Sequence, residues 1–318
     1  MFITCDTIKI RCNYKYLKEM KKPFGIQYNS KELEHGRYFN SKHHHDIPYN
    51  LFIATNNYHQ SLEIEFSSKV LGERYPELIN RDTIRQCLEN INTLGICTLD
   101  VDGILHHGWI TRADITKDID LKLTDEVLNA LNQNVGNYRR FKWQHYTNKG
   151  VTFTKDAIYG KEEIKVYNKY QELLSHSRKF VDSLENRNEI MNYFYGKTRF
   201  EITLKGEKQI KERLGVGTGI KEFFDAIDSP VREQFNRVFN VSDTVLDTTR
   251  CNGYEEWAMA QLLDAYKGDL KKIEQTLRCD SVYNSRNGLT DRMKKFQSVK
   301  MKTNRKENEI IKQVRNLL

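Results

Sequence analysis

The sequence predicts an α+β fold, with a central, mainly antiparallel sheet over residues 1 to about 205, helices on one face, and a helical C-terminal part. Three observations carry this. Apolar/polar alternation marks SLEIEFS, WITRADITKD, IKVYNKY and TRFEITL as half-buried strands. Short links from LFIAT to SLEIEFS and from GVTFT to IKVYNKY favour hairpins over parallel crossovers. From about 206 onward, stretches such as GIKEFFDAI and EEWAMAQLLDAY have helical spacing instead. The corresponding division is a domain over 1–205 and a helical region over 206–318.

Taken in order, MFITCDTIKIRC reads as a first strand, and residues 13 to 48 as a polar, irregular stretch containing SKHHHD. LFIAT and SLEIEFS, joined by NNYHQ, read as a hairpin. Ile84, Leu88 and Ile91 have helical spacing behind Asp82, a potential N-cap. Asp102-Gly103 lies between apolar runs and predicts a tight hairpin turn. Thr124 opens a helix with Val127, Leu128, Leu131 and Val135 as its buried stripe. GVTFT and IKVYNKY read as a further hairpin with Gly160 near its turn, and residues 171–195 as polar helix leading into RFEITL. GVGTG at 215–219 reads as a helix-terminating turn.

Composition narrows the class of partner. The net charge is +8, which favours an anionic ligand, and nucleic acid is the commonest. No apolar run approaches the roughly 18 residues of a membrane span. The N-terminus, with an acid at position 6, reads as a strand and not as a secretion signal. Six scattered cysteines fit reduced thiols in a cytosolic protein and lack the close spacing of a zinc site. The absence of a G-x-x-x-x-G-K-[ST] loop argues against an ATP-driven motor.

The chemistry-bearing residues sit on strand faces. Lys165, Tyr167 and Lys169 alternate on one side of their segment; Arg199, Glu201 and Thr203 share a face of the next strand; Arg112, Asp114 and Thr116 share a face of a third. A tyrosine flanked by lysines, beside strands bearing carboxylates, suits metal-assisted attack on a phosphodiester. The lysines are expected to favour the phenolate, whose ordinary pKa is about 10. Tyr170 is the competing nucleophile. Asp114, Glu201 and one or both of Glu63 and Glu65 are candidate ligands for Mg²⁺ or Mn²⁺, since hard oxygen donors suit either ion. A histidine ligand would need alternation on a strand: His43, His44 and His45, in a polar loop, meet that only partly, and His106-His107, on a segment read as strand, point to opposite faces, so whether any histidine is a ligand stays open. Arg112 and Arg199 are candidate DNA contacts. So are Lys294, Lys295, Lys300 and Lys302 in a C-terminal basic run that also holds Arg292, Arg305 and Lys306.

At these residues the sequence resembles the gene II replication protein of filamentous phages and the wider phage and plasmid gene II/X initiators. SLEIEFSSKVLG (61–72) resembles the family's carboxylate-bearing strand and turn, ITRADIT (110–116) its Ile-Ser-Arg-Ile-Asp strand, and KVYNKYQEL (165–173) the segment with its nucleophilic tyrosine. TRFEITLK (198–205) resembles its Arg-Phe-Glu strand and FFDAI (223–227) its Phe-Asp-Ala-Ile helix. The resemblance runs from about 60 to 230, and the chain is shorter than the long phage proteins.

The resemblance implies a rolling-circle initiator nuclease-like fold and a nickase that cuts one strand of a double-stranded origin through a 5′-phosphotyrosine and later rejoins it. Its partners would be origin duplex, single-stranded DNA, and a host helicase and polymerase. A relaxase- or transposase-like tyrosine nickase, or a non-cleaving DNA-binding regulator of the same fold, are the alternative readings.

Overall fold

The computed structural model describes residues 3–21, 24–28, 34–44, 46–135, 142–146, 150–157, 160–226, 229–239, 248–266, 268–279, 286–303 and 309–318. The chain forms two compact units, one of residues 1–122 with 156–231, the other of 123–155 with 232–318. The sequence reading cuts the chain once near 205; the units are instead interleaved, because residues 123–155 group with the C-terminal helices.

The strands are β1 (Cys5–Asn13), β2 (Leu17–Met20), β3 (Gly25–Tyr28), β4 (Glu34–Asn40), β5 (Leu51–Asn56), β6 (Ser61–Ser67), β7 (Cys97–Leu99), β8 (Trp109–Ile119), β9 (Lys142–Tyr146), β10 (Gly150–Ala157), β11 (Gly160–Asn168) and β12 (Thr198–Lys205). In the first unit they run β3-β4-β5-β6-β1-β8-β12-β11, and each adjacent pair is antiparallel. The alternation seen in the sequence sets the two faces. Ile8, Ile10, Leu62, Ile64, Phe66, Ala113, Ile115, Ile164, Val166, Phe200, Ile202 and Leu204 are all buried. Each large apolar side chain among them contributes about 1.5–3 kcal/mol of burial. Between them, the opposite face carries Glu63, Glu65, Asp114, Lys165, Tyr167 and Glu201.

Two sequence expectations give way here. Residues 13–48 contain β2, β3 and β4 instead of irregular chain. Their pairing is hard to see in the sequence because β2 is largely exposed and only Gly36 and Phe39 of β4 are buried. Asp102-Gly103 makes no hairpin. It lies inside a helix whose N-cap is Asp100, the Asp100 carboxylate accepting from Gly103 N at 3.0 Å. Gly103 is needed for packing: a Cβ there would stand 2.3 Å from Tyr16 Cδ1.

That helix is α2 (Val101–His107), preceded by α1 (Ile84–Thr93), whose N-cap is Thr83 and not Asp82. The chain continues through α3 (Asp125–Gln133), α4 (Lys169–His176), α5 (Arg178–Asp182), α6 (Arg187–Phe194), α7 (Glu207–Leu214) and α8 (Ile220–Phe224). Helices α2 and α8 meet the apolar face: a Cβ on Gly108 would lie 3.0 Å from Ile220 Cδ1 and 3.1 Å from Ile10 Cγ2. Helices α4–α6 also cover one end of the polar face, where Phe180, Val181, Ile190 and Phe194 close over Tyr75. Helix α7 ends at Gly215 in the left-handed conformation (φ 66°), the turn expected of GVGTG.

In the second unit Thr124 caps α3 as expected, accepting from Val127 N at 3.3 Å, and β9 pairs antiparallel with β10. Residues 158–159, before Gly160 at the expected turn, lie outside the described residues. Helices α9 (Pro230–Val238), α10 (Gly253–Ala265), α11 (Leu270–Cys279), α12 (Arg286–Thr303) and α13 (Glu309–Leu317) complete the chain. Within this unit Phe239 packs edge-on to Phe153 and tilted against Phe235, with ring centroids 4.8 and 4.6 Å away. No helix among the described residues is long and apolar enough to cross a membrane.

Candidate active site on the polar face of the sheet

The register of β8, β12 and β11 brings the predicted residues together. Asp114 faces Thr203, Glu201 faces Thr116 on one side and Lys165 on the other, and Tyr167 faces Arg199. Asp114 and Glu201 are therefore diagonal neighbours on one face of adjacent strands. The Tyr167 hydroxyl donates to Glu201 Oε2 at 2.9 Å, and Lys165 Nζ donates to Glu201 Oε1 at 2.7 Å. Arg112 bridges Asp114 Oδ2 and Glu65 Oε1, both at 2.9 Å. Asp114 Oδ1 is buried and has no hydrogen-bond partner among the described residues.

Burial raises the Asp114 pKa to about 6; the Glu201 charge adds to this, while Arg112 and the Thr203 hydroxyl pull the other way. Burial also raises the Tyr167 pKa well above its ordinary value, and the Glu201 charge raises it further. The flanking lysines therefore do not ease ionisation of this tyrosine, and its proton needs an acceptor. Burial works against the Lys165 charge, but Glu201 outweighs it and holds the ammonium protonated.

Lys169 is not on the strand. It is the first residue of α4, 2% exposed, with Nζ 2.7 Å from Glu172 Oε2 and 3.9 Å from Asp6 Oδ1. It lies 5.6 Å from the Tyr167 ring centroid, a cation–π distance. Arg199, expected to contact DNA, is fully buried. It makes a bidentate pair with Asp118 at 2.7 Å and meets Asp6 Oδ1 at 2.6 Å. Sequence reading missed Asp6, Asp118 and Glu172. Asp118 had a signal, since it lies four residues after Asp114 on the same strand face and opposite Arg199.

Glu63 is held by Lys9 and Arg11, both at 2.8 Å, while Glu65 takes Arg112. β1 separates both glutamates from Asp114 and Glu201. Among the described residues, no three His, Cys, Asp or Glu side chains gather closely enough to hold a metal. What remains is the pair Asp114 and Glu201, with an unpartnered carboxylate oxygen and mutual repulsion. That pair fits Mg²⁺ or Mn²⁺, which tolerate one or two protein carboxylates when phosphate and water complete the shell. His43 ends a 3-10 turn, His44 stacks on Phe39 at 4.4 Å, and His45 lies outside the described residues. His106 and His107 end α2 instead of standing on a strand.

Tyr170 packs on the Tyr195 ring at 5.5 Å and against the α4–α6 core. In the second unit Lys294 and Lys295 are exposed, paired with Asp291 at 3.0 Å and Glu255 at 3.5 Å. Lys302 pairs with Glu256 at 2.6 Å. Lys300 is buried, not presented to a phosphate: Nζ donates to the Gly268 carbonyl at 3.1 Å, and burial lowers its pKa to about 8. Arg305 and Lys306 lie outside the described residues.

Residues 86–222 match the family of the phage replication-associated protein of gene II, N-terminal region. The match spans β8, β11 and β12, and so takes in Asp114, Lys165, Tyr167 and Glu201. No curated protein matches the chain.

Proposed function

We propose that this chain, whose residues 86–222 match the gene II family, is a replication initiator that cuts one strand of its origin DNA with Tyr167 and holds the 5′ end as a phosphotyrosine. The observation that carries the reading is the hydrogen bond from the Tyr167 hydroxyl to Glu201, with Lys165 on the other carboxylate oxygen and Asp114 diagonal to it.

Glu201 takes the phenolic proton as Tyr167 Oη attacks phosphorus. The bond from phosphorus to the 3′ oxygen breaks, and that oxygen leaves as a hydroxyl with a proton from solvent. The phosphate stays esterified to Tyr167, so the reverse attack by a 3′ hydroxyl rejoins a strand and returns the proton. Lys165, kept charged by Glu201, offsets the negative charge that builds on the phosphate oxygens. A divalent ion held by Asp114 and Glu201 would polarise the phosphate and align it with the tyrosine.

The test is incubation of the protein with its replicon DNA and Mg²⁺, followed by denaturing electrophoresis and adduct mapping. Wild type and Tyr170→Phe should give a denaturant-stable adduct, and Tyr167→Phe should give none while still binding DNA. An adduct that persists in Tyr167→Phe refutes the assignment. Absence of an adduct in every protein would favour the regulator reading.

A further inference from the structure

On the opposite side of the sheet from Tyr167, α1, α2 and α8 enclose a cleft of about 580 Å³. Ile84, Ile220 and Phe224, each at most 5% exposed, line it with apolar surface. Arg81, Arg85 and Lys221 also line it, and all three are exposed. Arg81 pairs with Asp225 at 3.1 Å and Arg85 with Asp102 at 2.7 Å. Asp102 is 83% exposed and Arg85 52% exposed, so this pair is worth about 0–1 kcal/mol and yields readily to a stronger anion. His107, also lining the cleft and exposed, stacks on Tyr16 with centroids 5.7 Å apart and planes 11° apart.

We propose that this cleft seats one nucleotide of an unpaired DNA strand, its base on the Tyr16–His107 stack and its phosphate on Arg81, Arg85 and Lys221. The volume falls within the roughly 300–1,000 Å³ of small-ligand sites. A mainly apolar pocket with planar guanidinium groups at its edge suits a ligand that is flat at one end and phosphorylated at the other. Unpaired bases stack on histidine as they do on other aromatic rings. The inference rests on the reading of the chain as a DNA-handling protein and adds a second contact, remote from the cutting residue, for a strand that has left the duplex.

The test uses the full chain with Tyr167→Phe, so that DNA is not cut, and a single-stranded oligonucleotide carrying 5-iododeoxyuridine. After irradiation, crosslinked peptides are mapped by mass spectrometry. Crosslinks should fall on peptides containing Tyr16, His107 or Phe224. His107→Ala should lower them about tenfold, the loss expected for one stacked base. Arg85→Glu, at an exposed position that leaves the fold intact, should lower them comparably, and Arg178→Glu should not. Suppression by excess thymidine monophosphate supports a site for one nucleotide. Equal suppression by inorganic phosphate overturns it, as do crosslinks confined to other peptides or unchanged by Arg85→Glu. The Tyr167 adduct, measured separately on the wild-type chain, stands or falls independently of this result.

Discussion

Replacing Asp114 with asparagine should make the protein more stable while abolishing cleavage. The Asp114 pKa rises from 3.8 to about 6 in the folded chain because burial and Glu201 disfavour its charge. Between those values the folded state binds more protons than the unfolded state, so wild-type stability falls as pH rises from about 4 to 6 and is level above. A shift of about 2 pKa units corresponds to a penalty of about 3 kcal/mol at pH 8, shrinking to roughly 0.5 kcal/mol at pH 4. Asp114→Asn removes the ionisable group and keeps its shape. Urea unfolding should find the variant more stable than wild type by up to about 3 kcal/mol at pH 8, with little difference at pH 4. Mg²⁺ should stabilise wild type above pH 6 and stabilise the variant much less, because Glu201 alone then remains to hold the cation. A variant less stable than wild type at pH 8, or a stability gap that does not change with pH, would refute the reasoning.

The second unit and the buried network supply further tests. Arg199→Met should cost about 3–5 kcal/mol in denaturant unfolding by stranding Asp118 and Asp6; a loss confined to DNA affinity would contradict its burial. Lys294→Gln and Lys295→Gln should each reduce the log–log salt slope of duplex binding by about 0.9 if these exposed lysines meet phosphates. Lys300→Gln should leave that slope unchanged. With its pKa depressed from 10.5 to about 8, Lys300 leaves the unfolded chain holding an extra proton between those values, so stability should rise as pH goes from about 8 to 10.5, and that rise should vanish in Lys300→Gln.

Much of the first unit was legible because one face of each strand is apolar, and register follows from which side must be buried. Alternation puts Asp114, Lys165, Tyr167 and Glu201 on the polar faces of their strands, and the pairing of β8, β12 and β11 joins those faces into one surface. It was silent where pattern and context diverge. Asp102-Gly103 has hairpin chemistry, but Asp100 offers a helix cap and Tyr16 leaves no room for a Cβ at Gly103. Alternation also cannot say what lies above a face. Arg199 and Glu201 have the same local signal, yet one is sealed in an ionic network and the other receives the tyrosine.

What separates their fates is an aromatic cover made by distant segments. The Arg199 guanidinium lies 5.3 Å from the Phe194 ring centroid and 6.0 Å from that of Tyr75, and Phe180 packs edge-on to Tyr75 at 5.3 Å. Beneath this cover Arg199, Lys169 and Lys69 pair with Asp6, Asp118 and Glu172, since charges without partners would be costly there. Beyond it, Lys165 and Arg112 are each about a third exposed, which gives a phosphate a route to the carboxylates. Tyr167 stands at the boundary: Lys169, on the sealed side, lies against its ring, and its hydroxyl reaches Glu201. A nucleophile fixed at one end by a buried charge network loses little orientational freedom when its hydroxyl meets a phosphate. Weakening the network without unfolding it, as by Glu172→Gln, should therefore lower the rate of adduct formation while leaving DNA affinity and the Tyr167–Glu201 pairing chemistry in place.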